Sequence, residues 1–438
     1  MCLSVVAVTP VVAQESADAT RFWPEWRGPL GTGVSPAGAP PIDWSESYNV
    51  RWKVPLPGLG SGTPVIWEDR VFVLTAVPTE ERTASGPGFF ARLRQRFMQG
   101  VSVTHVQRFV VLALDRQDGR VIWERVARET APHQGTHGTG SWSSPSAVTD
   151  GEYLFAFFGS WGLYAFDMDG NLQWEVDLGT RHMRNAFGEG TTPALHGDTL
   201  VVTWDHIGGQ SFIVALDKRT GQERWRANRD EIDTWATPLI VEHEGRAQVI
   251  TPAMDSVYSY DLETGAIVWQ SRGTTMNAIP SAVHADGIVY VMSGYRGNNL
   301  QAIRLAGASG DIASTDAIIW QLDRDTPYVP SPLLYDDALY VIKSNDGILS
   351  VFDPLTGEPH YQRQRLQGVP NVFASPVGAA GRVYIAGRDG TTLVIRHGDR
   401  YEVLASNTLD DGFDASPAIV DDEIYMRGYR YLYAIAEG

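Results

Sequence analysis

The stretch that decides the fold is "ALDKRTGQERW", which runs from Ala215 to Trp225. Four related stretches recur: "ALDRQDGRVIW" ending at Trp123, "AFDMDGNLQW" ending at Trp174, "SYDLETGAIVW" ending at Trp269 and "VFDPLTGEPHY" ending at Tyr361. Each predicts a strand, a turn containing glycine, and a second strand closed by an aromatic residue. The aspartate bonds to the turn backbone and the glycine supplies positive φ. The aromatic residue is then expected to pack on the neighbouring unit.

A second marker lies between these copies, where a small residue before proline opens a strand. The prolines of its eight copies are Pro64, Pro145, Pro193, Pro238, Pro280, Pro332, Pro376 and Pro417. A polar turn and an alternating strand follow each one, so a unit holds four short strands in about 40 to 50 residues. This arrangement is typical of a β-propeller blade. The sequence predicts an all-β, eight-bladed β-propeller of four-stranded antiparallel blades.

The two ends of the chain predict how the ring closes. The last unit, "ASPAIVDDEIYMRGYRYLYAIAEG", has only three strands, whereas "NVRWKV" (Asn49 to Val54) is a tryptophan strand with no three strands before it. We expect the N-terminal strand to complete the last blade, because this pairing hides an edge that would otherwise pair with other chains.

Composition limits the partners and the compartment. The 438 residues carry a formal net charge of −17, which argues against nucleic acid as a partner. No segment is long and apolar enough to cross a membrane as a helix. The single cysteine, Cys2, excludes an intramolecular disulfide. The apolar run from Leu3 to Val12 precedes Ala13 and fits a secretory cleavage site, so we expect a periplasmic or secreted protein.

The expected division of the chain has three parts and one insert. Residues 1–13 are a predicted signal peptide, 14–48 an N-terminal arm, and 49–438 the propeller, with an insert at about 78–106 in the first blade. Within the insert, "FFARLRQRFM" places Phe89, Leu93 and Phe97 on one helical stripe among arginines. This basic helix would cap the propeller's edge, act as a lid, or contact a membrane surface or partner.

The repeated Ala-x-Asp-x-x-Thr-Gly-x-x-x-Trp pattern resembles the tryptophan-docking repeat of the pyrroloquinoline-quinone (PQQ) repeat superfamily. The resemblance runs from about Asn49 to the C-terminus. That superfamily includes quinoprotein alcohol dehydrogenases, BamB-type outer-membrane assembly factors and uncharacterised exported proteins. The dehydrogenases typically carry two adjacent cysteines against the quinone, and this chain has no cysteine after Cys2. The resemblance therefore implies a propeller but does not assure that a cofactor is bound. The alternative is that the protein binds PQQ together with Ca²⁺.

Turn alternation predicts where a site lies. The Thr-Gly turns occupy one face, while the loops entering the proline strands and the turns between second and third strands share the other. Aromatic residues on that second face are Trp142, Phe187, Trp235, Tyr328, Phe373 and Phe413. The predicted ligand-binding residues are Trp142, Arg184, His206, Trp235, Arg296, Lys343, Arg388 and Asp389. Aromatic rings and cations converging on the axis would bind a flat anionic ligand, a peptide or a sugar. The alternative is that they pack and pair between blades.

Two functions remain open from the sequence. The first is a binding or scaffold module for an envelope protein or ligand, which engages it through the aromatic face and the insert. The second is a PQQ-dependent dehydrogenase oxidising an alcohol or sugar. In that case the arginines and Lys343 would hold the carboxylates of the quinone, and Trp142 or Trp235 would form a stacking floor. The base would come from Asp205, Asp389 or Asp414. No Gly-x-Ser-x-Gly, Walker or His-Glu-x-x-His motif is present, and no catalytic residue is assigned.

Overall fold

The computed structural model describes residues 20–83 and 100–437. Within them the chain forms eight antiparallel sheets of four strands, and one of these sheets carries a fifth strand. The sheets are numbered here as blades 1 to 8 in the chain order of their innermost strands, and the fifth strand belongs to blade 4. The all-β, eight-bladed fold is therefore confirmed. The predicted signal peptide at 1–13 and the predicted helix at 89–98 lie outside the described residues. No helix in the described part of the chain is long and apolar enough to cross a membrane.

In the first half of the ring, strands are given from the axis outward. Blade 1 comprises Val65–Trp67, Arg70–Arg82, His105–Asp115 and Val121–Thr130. Blade 2 comprises Val148–Thr149, Tyr153–Phe157, Leu163–Asp167 and Leu172–Val176. Blade 3 comprises Ala194–His196, Thr199–Trp204, Ser211–Asp217 and Glu223–Arg229. Blade 4 comprises Leu239–His243, Arg246–Pro252, Ser256–Asp261 and Ile267–Arg272, with Gly310–Asp311 added in parallel on its outer edge.

The second half of the ring follows the same order. Blade 5 comprises Val283–Ala285, Ile288–Ser293, Asn299–Arg304 and Ile318–Leu322. Blade 6 comprises Leu333–Tyr335, Ala338–Ile342, Ile348–Phe352 and Pro359–Arg365. Blade 7 comprises Val377–Ala379, Arg382–Ala386, Thr391–Arg396 and Val403–Thr408. Blade 8 comprises Ala418–Val420, Glu423–Arg427, Tyr431–Ile435 and Val50–Pro55. The short strands Gly100–Val101 and Thr136–His137 pair separately, and Gly159–Trp161 and Arg184–Ala186 form 3-10 turns.

The N-terminal strand closes the ring, as the sequence predicts. Val50–Pro55 pairs antiparallel with Tyr431–Ile435 and becomes the outermost strand of blade 8. Ion pairs cross the same seam, since Arg116 of blade 1 bonds to Glu423 and Asp421 of blade 8, each at 2.8 Å. The last three strands of the chain and its first strand thus form one sheet.

The repeated tryptophan joins five pairs of neighbouring blades at the outside of the ring. The indole nitrogen of Trp225, in blade 3, donates to the carbonyl of Leu262 in the turn of blade 4 at 2.7 Å. The equivalent bonds, from one indole to the next turn carbonyl, are Trp52 to Arg116 at 3.0 Å, Trp123 to Met168 at 3.0 Å, Trp174 to Lys218 at 2.9 Å and Trp320 to Pro354 at 2.8 Å. The predicted packing on the neighbouring unit is therefore confirmed.

The turn glycine is required for two reasons at once. Gly221 has φ of 68°, and a Cβ placed there would lie 2.8 Å from the ring of Trp174 in the preceding blade. Gly265 repeats this relation with Trp225 at 2.5 Å. Any other residue would have a strained backbone at this φ, and its Cβ would also collide with the indole. The glycine, its turn and the tryptophan of the preceding blade therefore form one contact between the two blades.

The proline marker joins the blades at the axis. Seven hydroxyl residues beside the prolines form what we call the hydroxyl belt: Ser146, Thr192, Thr237, Ser281, Ser331, Ser375 and Ser416. The backbone N–H of each donates to the hydroxyl oxygen of the next, at 3.1, 3.2, 2.8, 2.9, 2.9 and 2.9 Å in chain order. The belt links blades 2 to 8 in sequence, and its residues are buried or nearly so. It satisfies backbone donors that would otherwise be unpaired where the inner strands begin.

The N-terminal arm crosses the axis on the face of the Thr-Gly turns. It pairs through Trp23 with Ile66 of blade 1, and Ser35 donates to the carbonyl of Gly378 in blade 7 at 2.8 Å. Between these points the guanidinium of Arg27 is buried and donates to the carbonyl oxygens of Pro332, at 2.7 Å, and Pro376. The carbonyl of Pro24 also accepts from Thr149 in blade 2, and that of Thr32 accepts from Leu334 in blade 6, so the arm runs between the inner strands of two opposite blades before it reaches blade 8.

Replacing Gly221 by alanine should destabilise the protein much more than replacing Gly245. Both glycines have positive φ, 68° and 74°, but only Gly221 has a ring in the place of the new Cβ. We expect Gly245→Ala to lower the free energy of unfolding by about 1 kcal/mol because of backbone strain. Gly221→Ala should lower it by about 1–3 kcal/mol more, because the new Cβ would collide with the indole ring. Urea unfolding measures both. Equal losses would contradict the role of the indole.

Removing the chain through Pro55 should expose the edge of Tyr431–Ile435 and remove the anchor of Trp52. We expect a lower melting temperature and self-association, because an unpaired strand edge templates pairing with other chains. Thermal unfolding and light scattering test this outcome. A synthetic peptide of residues 43–56 added to the truncated protein should restore part of the lost stability. Unchanged melting after truncation would show that the seam is not held by this strand.

Candidate functional site

A cavity of about 360 Å³ lies on the axis, on the face that the sequence predicts for a site. Its walls come from loops entering the proline strands and from the middle turn of blade 6. The aromatic lining residues are Trp26, Phe187, Trp235, Tyr328 and Phe373. The polar lining residues are Ser61, His137, Thr139, Ser144, Ser146, Glu189, Thr192, Asn277, Asn345, Ser375, Asp414 and Ser416. Four of these, Ser146, Thr192, Ser375 and Ser416, belong to the hydroxyl belt, so the same residues that join the blades surround the cavity.

The N-terminal arm supplies part of the floor of this cavity through Trp26. The adjacent Arg27 lies just below the belt, because the carbonyls that it binds belong to the prolines that follow Ser331 and Ser375. It faces no carboxylate among its hydrogen-bond partners in the described chain, and burial lowers its pKa to about 9. Trp26 also lines a small second cavity beneath the floor, together with Glu25 and Arg27.

The two carboxylates in the cavity wall are already paired. Asp414 accepts two bonds from Arg388, at 2.6 and 3.1 Å, and burial raises its pKa against the effect of that arginine. Glu189 accepts from Arg181 at 2.9 Å and from the hydroxyl of Ser160 at 2.7 Å. Both Arg181 and Glu189 are almost fully buried, with side chains 0% and 2% exposed. The wall therefore presents little net charge to the cavity.

Asn277 has an unsatisfied acceptor behind the wall. Its amide nitrogen lies 3.4 Å from the hydroxyl of Tyr328, while its side-chain oxygen is buried without a partner in the described chain. The residue is 3% exposed and adopts a left-handed backbone with φ of 57°. Tyr328 in turn stacks on Tyr295, with ring centroids 4.8 Å apart. This oxygen has almost no accessible surface, so it lies behind the cavity wall rather than facing a molecule in the cavity.

Backbone strain is concentrated beside Phe187. The two residues before it, Asn185 and Ala186, both have positive φ, 54° and 56°. Alanine rarely adopts this conformation, because its Cβ crowds the backbone, and such strain is frequent at ligand-binding positions. The edge of the His137 ring packs against Phe187, at 5.4 Å between centroids. Burial lowers the pKa of His137, so its ring is neutral near pH 7.

The predicted site residues are only partly brought together. Trp235 lines the cavity, and its indole nitrogen donates to the carbonyl of Gly188 at 2.8 Å. Trp142 packs instead in the core between blades 1 and 2, with its nitrogen bonded to Gln134. Arg184 binds the buried carboxylate of Asp233 at 2.7 Å, behind the wall.

The other five predicted residues also lie outside the wall in the described chain. His206 is buried beside Trp204, and burial lowers its pKa. Arg388 lies over the ring of Phe373 at 4.1 Å and supports the wall through Asp414. Lys343 pairs with Asp325 at 3.2 Å. The two remaining residues are exposed in middle turns, and they are Arg296 and Asp389.

Sequence reasoning missed the residues that complete the cavity. Trp26 belongs to the N-terminal arm, about 40 residues before the first proline marker, and no repeat pattern connects it with the blades. The hydroxyl residues belong to the strand marker, and their repetition beside the marker prolines indicates that they share one surface. Phe187, Tyr328 and Phe373 were placed on the correct face and do line the cavity.

The walls do not fit PQQ with Ca²⁺. A quinone with several carboxylates needs unpaired cations, but Arg184, Arg388 and Lys343 are each bonded to an aspartate. The wall carries two carboxylates of its own, and the described residues contain no group of three histidine, cysteine or acidic side chains suited to a metal. The sequence also lacks the adjacent cysteines of quinoprotein alcohol dehydrogenases.

Eight blades, repeated tryptophan docking and an axial cavity define a propeller of the tryptophan-docking class. The family model described as outer membrane protein assembly factor BamB (PQQ_2) matches residues 43–201, 161–309 and 253–437. These overlapping matches cover most of the sequence, and the chain belongs to this family. No curated protein matches the chain.

Solved structures share the fold at low identity. BamB from Moraxella catarrhalis is 16% identical with a TM-score of 0.55, and the alignment covers 83% of this chain and all of that one. The quinohemoprotein alcohol dehydrogenase from Comamonas testosteroni is 11% identical with a TM-score of 0.61, covering 96% and 83%. A europium-containing methanol dehydrogenase is 10% identical with a TM-score of 0.64, covering 95% and 98%. At these identities the similarity shows the fold alone.

Replacing Glu25 by glutamine should stabilise the protein increasingly as the pH rises. Burial raises the pKa of Glu25 from 4.5 to about 7. The folded protein therefore holds this proton more tightly than the unfolded chain does. The contribution of this proton to the free energy of unfolding is fully present below pH 4.5 and is lost as the pH rises through 7. We expect Glu25→Gln to gain roughly 1–3 kcal/mol over the wild type between pH 4.5 and 7. Urea unfolding across that range tests it; a difference independent of pH would contradict the buried carboxylate.

Proposed function

We propose that this protein is an exported binding module that holds an uncharged group of an envelope protein or ligand in the axial cavity. The observation that carries the proposal is the pairing of every charged wall residue, which leaves aromatic rings, hydroxyls and amides facing the cavity. A cavity of this size suits a small molecule or a few side chains. The family match and the apolar leader sequence support a place in the cell envelope.

Quinone-dependent oxidation is the less supported alternative. The related dehydrogenases show that this fold accommodates such chemistry, but fold does not determine function. Of the predicted quinone-binding residues, Arg184, Lys343 and Arg388 are paired with aspartates. Arg296 is exposed outside the wall, and Trp142 lies in the core. Binding of a multiply charged anion would have to break the Arg388–Asp414 pair or leave two carboxylates beside the ligand, and both are costly.

The test compares uncharged and anionic probes on the purified protein. Indole and methyl β-glucopyranoside serve as uncharged probes, and PQQ with Ca²⁺ as the anionic one. We expect at least one uncharged probe to bind in calorimetry, and Gly190→Leu to weaken it about tenfold or more, because a side chain there would point beside Trp235 and Ser144 into the cavity. Glu263→Leu, which adds the same side chain to an exposed turn on the opposite face, should leave binding unchanged.

Two results would overturn the proposal. One is saturable quenching of tryptophan fluorescence by PQQ, together with dye-coupled oxidation of an alcohol or sugar. The other is that the uncharged probes bind the Gly190→Leu variant as tightly as the wild type, because such probes would be binding outside the cavity.

A further inference from the structure

We infer that the uncharged group held in the axial cavity is a sugar ring, either a free monosaccharide or the end unit of a glycan. This inference rests on the proposed function and names the class of ligand of the same cavity. Three features carry it: hydrogen-bonding groups without partners around most of the axis, a carboxylate whose charge is neutralised, and aromatic rings in the same wall.

Two serine hydroxyls in the cavity wall have no partner in the described chain. The backbone N–H of Ser146 donates to Thr192, and that of Ser61 donates to the carbonyl of Ser143 at 3.2 Å, but neither hydroxyl makes a hydrogen bond. Both residues line the cavity, and their hydroxyl oxygens keep accessible surface, whereas the hydroxyl oxygen of the nearby Ser143 is fully buried. A hydroxyl in such a position pairs with water or with a ligand.

The hydroxyl belt and the floor add further donors. The side-chain oxygens of Thr192, Ser375 and Ser416 each accept a backbone N–H from the neighbouring blade, but their O–H groups have no acceptor within the described residues. All three residues line the cavity. The indole N–H of Trp26 also has no acceptor there, and Asn345 uses only its side-chain oxygen, which leaves its N–H groups free. The wall therefore offers several unused donors to a molecule in the cavity.

The distribution of these groups decides the shape of the ligand. They lie on the loops that enter blades 1, 2, 3, 7 and 8, in the middle turn of blade 6 and on the floor. A ligand with one polar end, such as indole, would leave most of them unpaired, and an unpaired buried polar group costs free energy. A pyranose ring carries oxygen atoms around its perimeter, and each of its hydroxyls both donates and accepts. Such a ring can pair on several sides at once.

The rest of the wall matches the other parts of a sugar. The carboxylate of Asp414 is paired with Arg388, and its side chain is 9% exposed. Its oxygens keep lone pairs for a sugar hydroxyl, while the arginine neutralises its charge. The aromatic lining, which includes Trp26 and Trp235, suits the apolar C–H groups on the faces of the ring. A sugar acid is disfavoured, because its carboxylate would lie beside that of Asp414.

The test uses the methyl β-glycosides of glucose, galactose, mannose and N-acetylglucosamine. The control is tetrahydropyran-2-methanol, which has the same ring and one hydroxyl but lacks the other oxygens. Calorimetry with the full chain should show one glycoside binding at least tenfold more tightly than the control, because only a glycoside can pair on several sides of the wall. Methyl β-cellobioside separates the two sources: tighter binding than the glucoside indicates the end unit of a glycan, and weaker binding a free sugar.

The decisive variant is Ser146→Ala, because it removes a cavity hydroxyl that makes no hydrogen bond in the described chain. It should reduce the preference for the glycoside over tetrahydropyran-2-methanol about fivefold. Ser143→Ala is the matched control, since the hydroxyl of Ser143 also has no partner but the residue does not line the cavity, and the preference should survive. Ser61→Ala repeats the test from the neighbouring blade. A ratio of affinities does not depend on how much of a variant is folded.

The outcomes separate the two proposals. If no glycoside binds more tightly than tetrahydropyran-2-methanol, or if the preference is unchanged in both Ser146→Ala and Ser61→Ala, this inference is wrong. If indole binds in a manner that Gly190→Leu abolishes but no glycoside binds, the inference fails and the proposed binding function stands. If neither indole nor any glycoside binds in the cavity, both fail.

Discussion

The structure depends on two kinds of hydrogen-bonded joint between neighbouring blades, one at the rim and one at the axis. Every boundary between blades has at least one of them, and the boundaries 2–3, 3–4 and 5–6 have both. At the rim an indole N–H, such as that of Trp225, donates to a carbonyl of the next turn, where glycine leaves room for the ring. At the axis the backbone N–H of a residue such as Ser331 donates to a hydroxyl of the next blade. Each bond contributes only about 1 kcal/mol, but an unpaired buried donor costs more, so both joints fix the spacing of the blades.

Other contacts take the place of the tryptophan or hydroxyl bond at blade boundaries where one of these bonds is missing. In blade 4 the indole of Trp269 bonds to Gln248 within its own sheet, and Gly310–Asp311 pairs with its strand instead. At the seam, the buried guanidinium of Arg427 donates to the carbonyl of Leu74 in blade 1. Beside blade 7, whose outer strand has no tryptophan, Trp44 of the arm stacks on Tyr384. The irregular contacts thus fill the gaps that the repeat leaves.

The sequence was sufficient for the fold and for the face on which the axial cavity opens, because both follow from local patterns. Aspartate, glycine and tryptophan at fixed spacing define the turns, and antiparallel strands alternate their turns between faces. The charges were not predictable in the same way. The partners of Arg184 and Arg388 are Asp233 and Asp414, which come from other loops and meet them only in the closed ring. The floor at Trp26 also depends on how a distant arm crosses the axis. The proposed binding function therefore rests on the composition of the cavity walls and not on the shared fold.

Placing the closing strand at the start of the chain has a consequence for the order of folding. Val50–Pro55 is among the first parts made, yet its partner, Tyr431–Ile435, is among the last. The other seven blades lie between these two strands in the sequence, so their contact has a very large sequence separation and is expected to form slowly. Until then, both edges remain open to chaperones or to misassembly with another molecule. Closure of the ring thus requires that the strands of all eight blades have been synthesised.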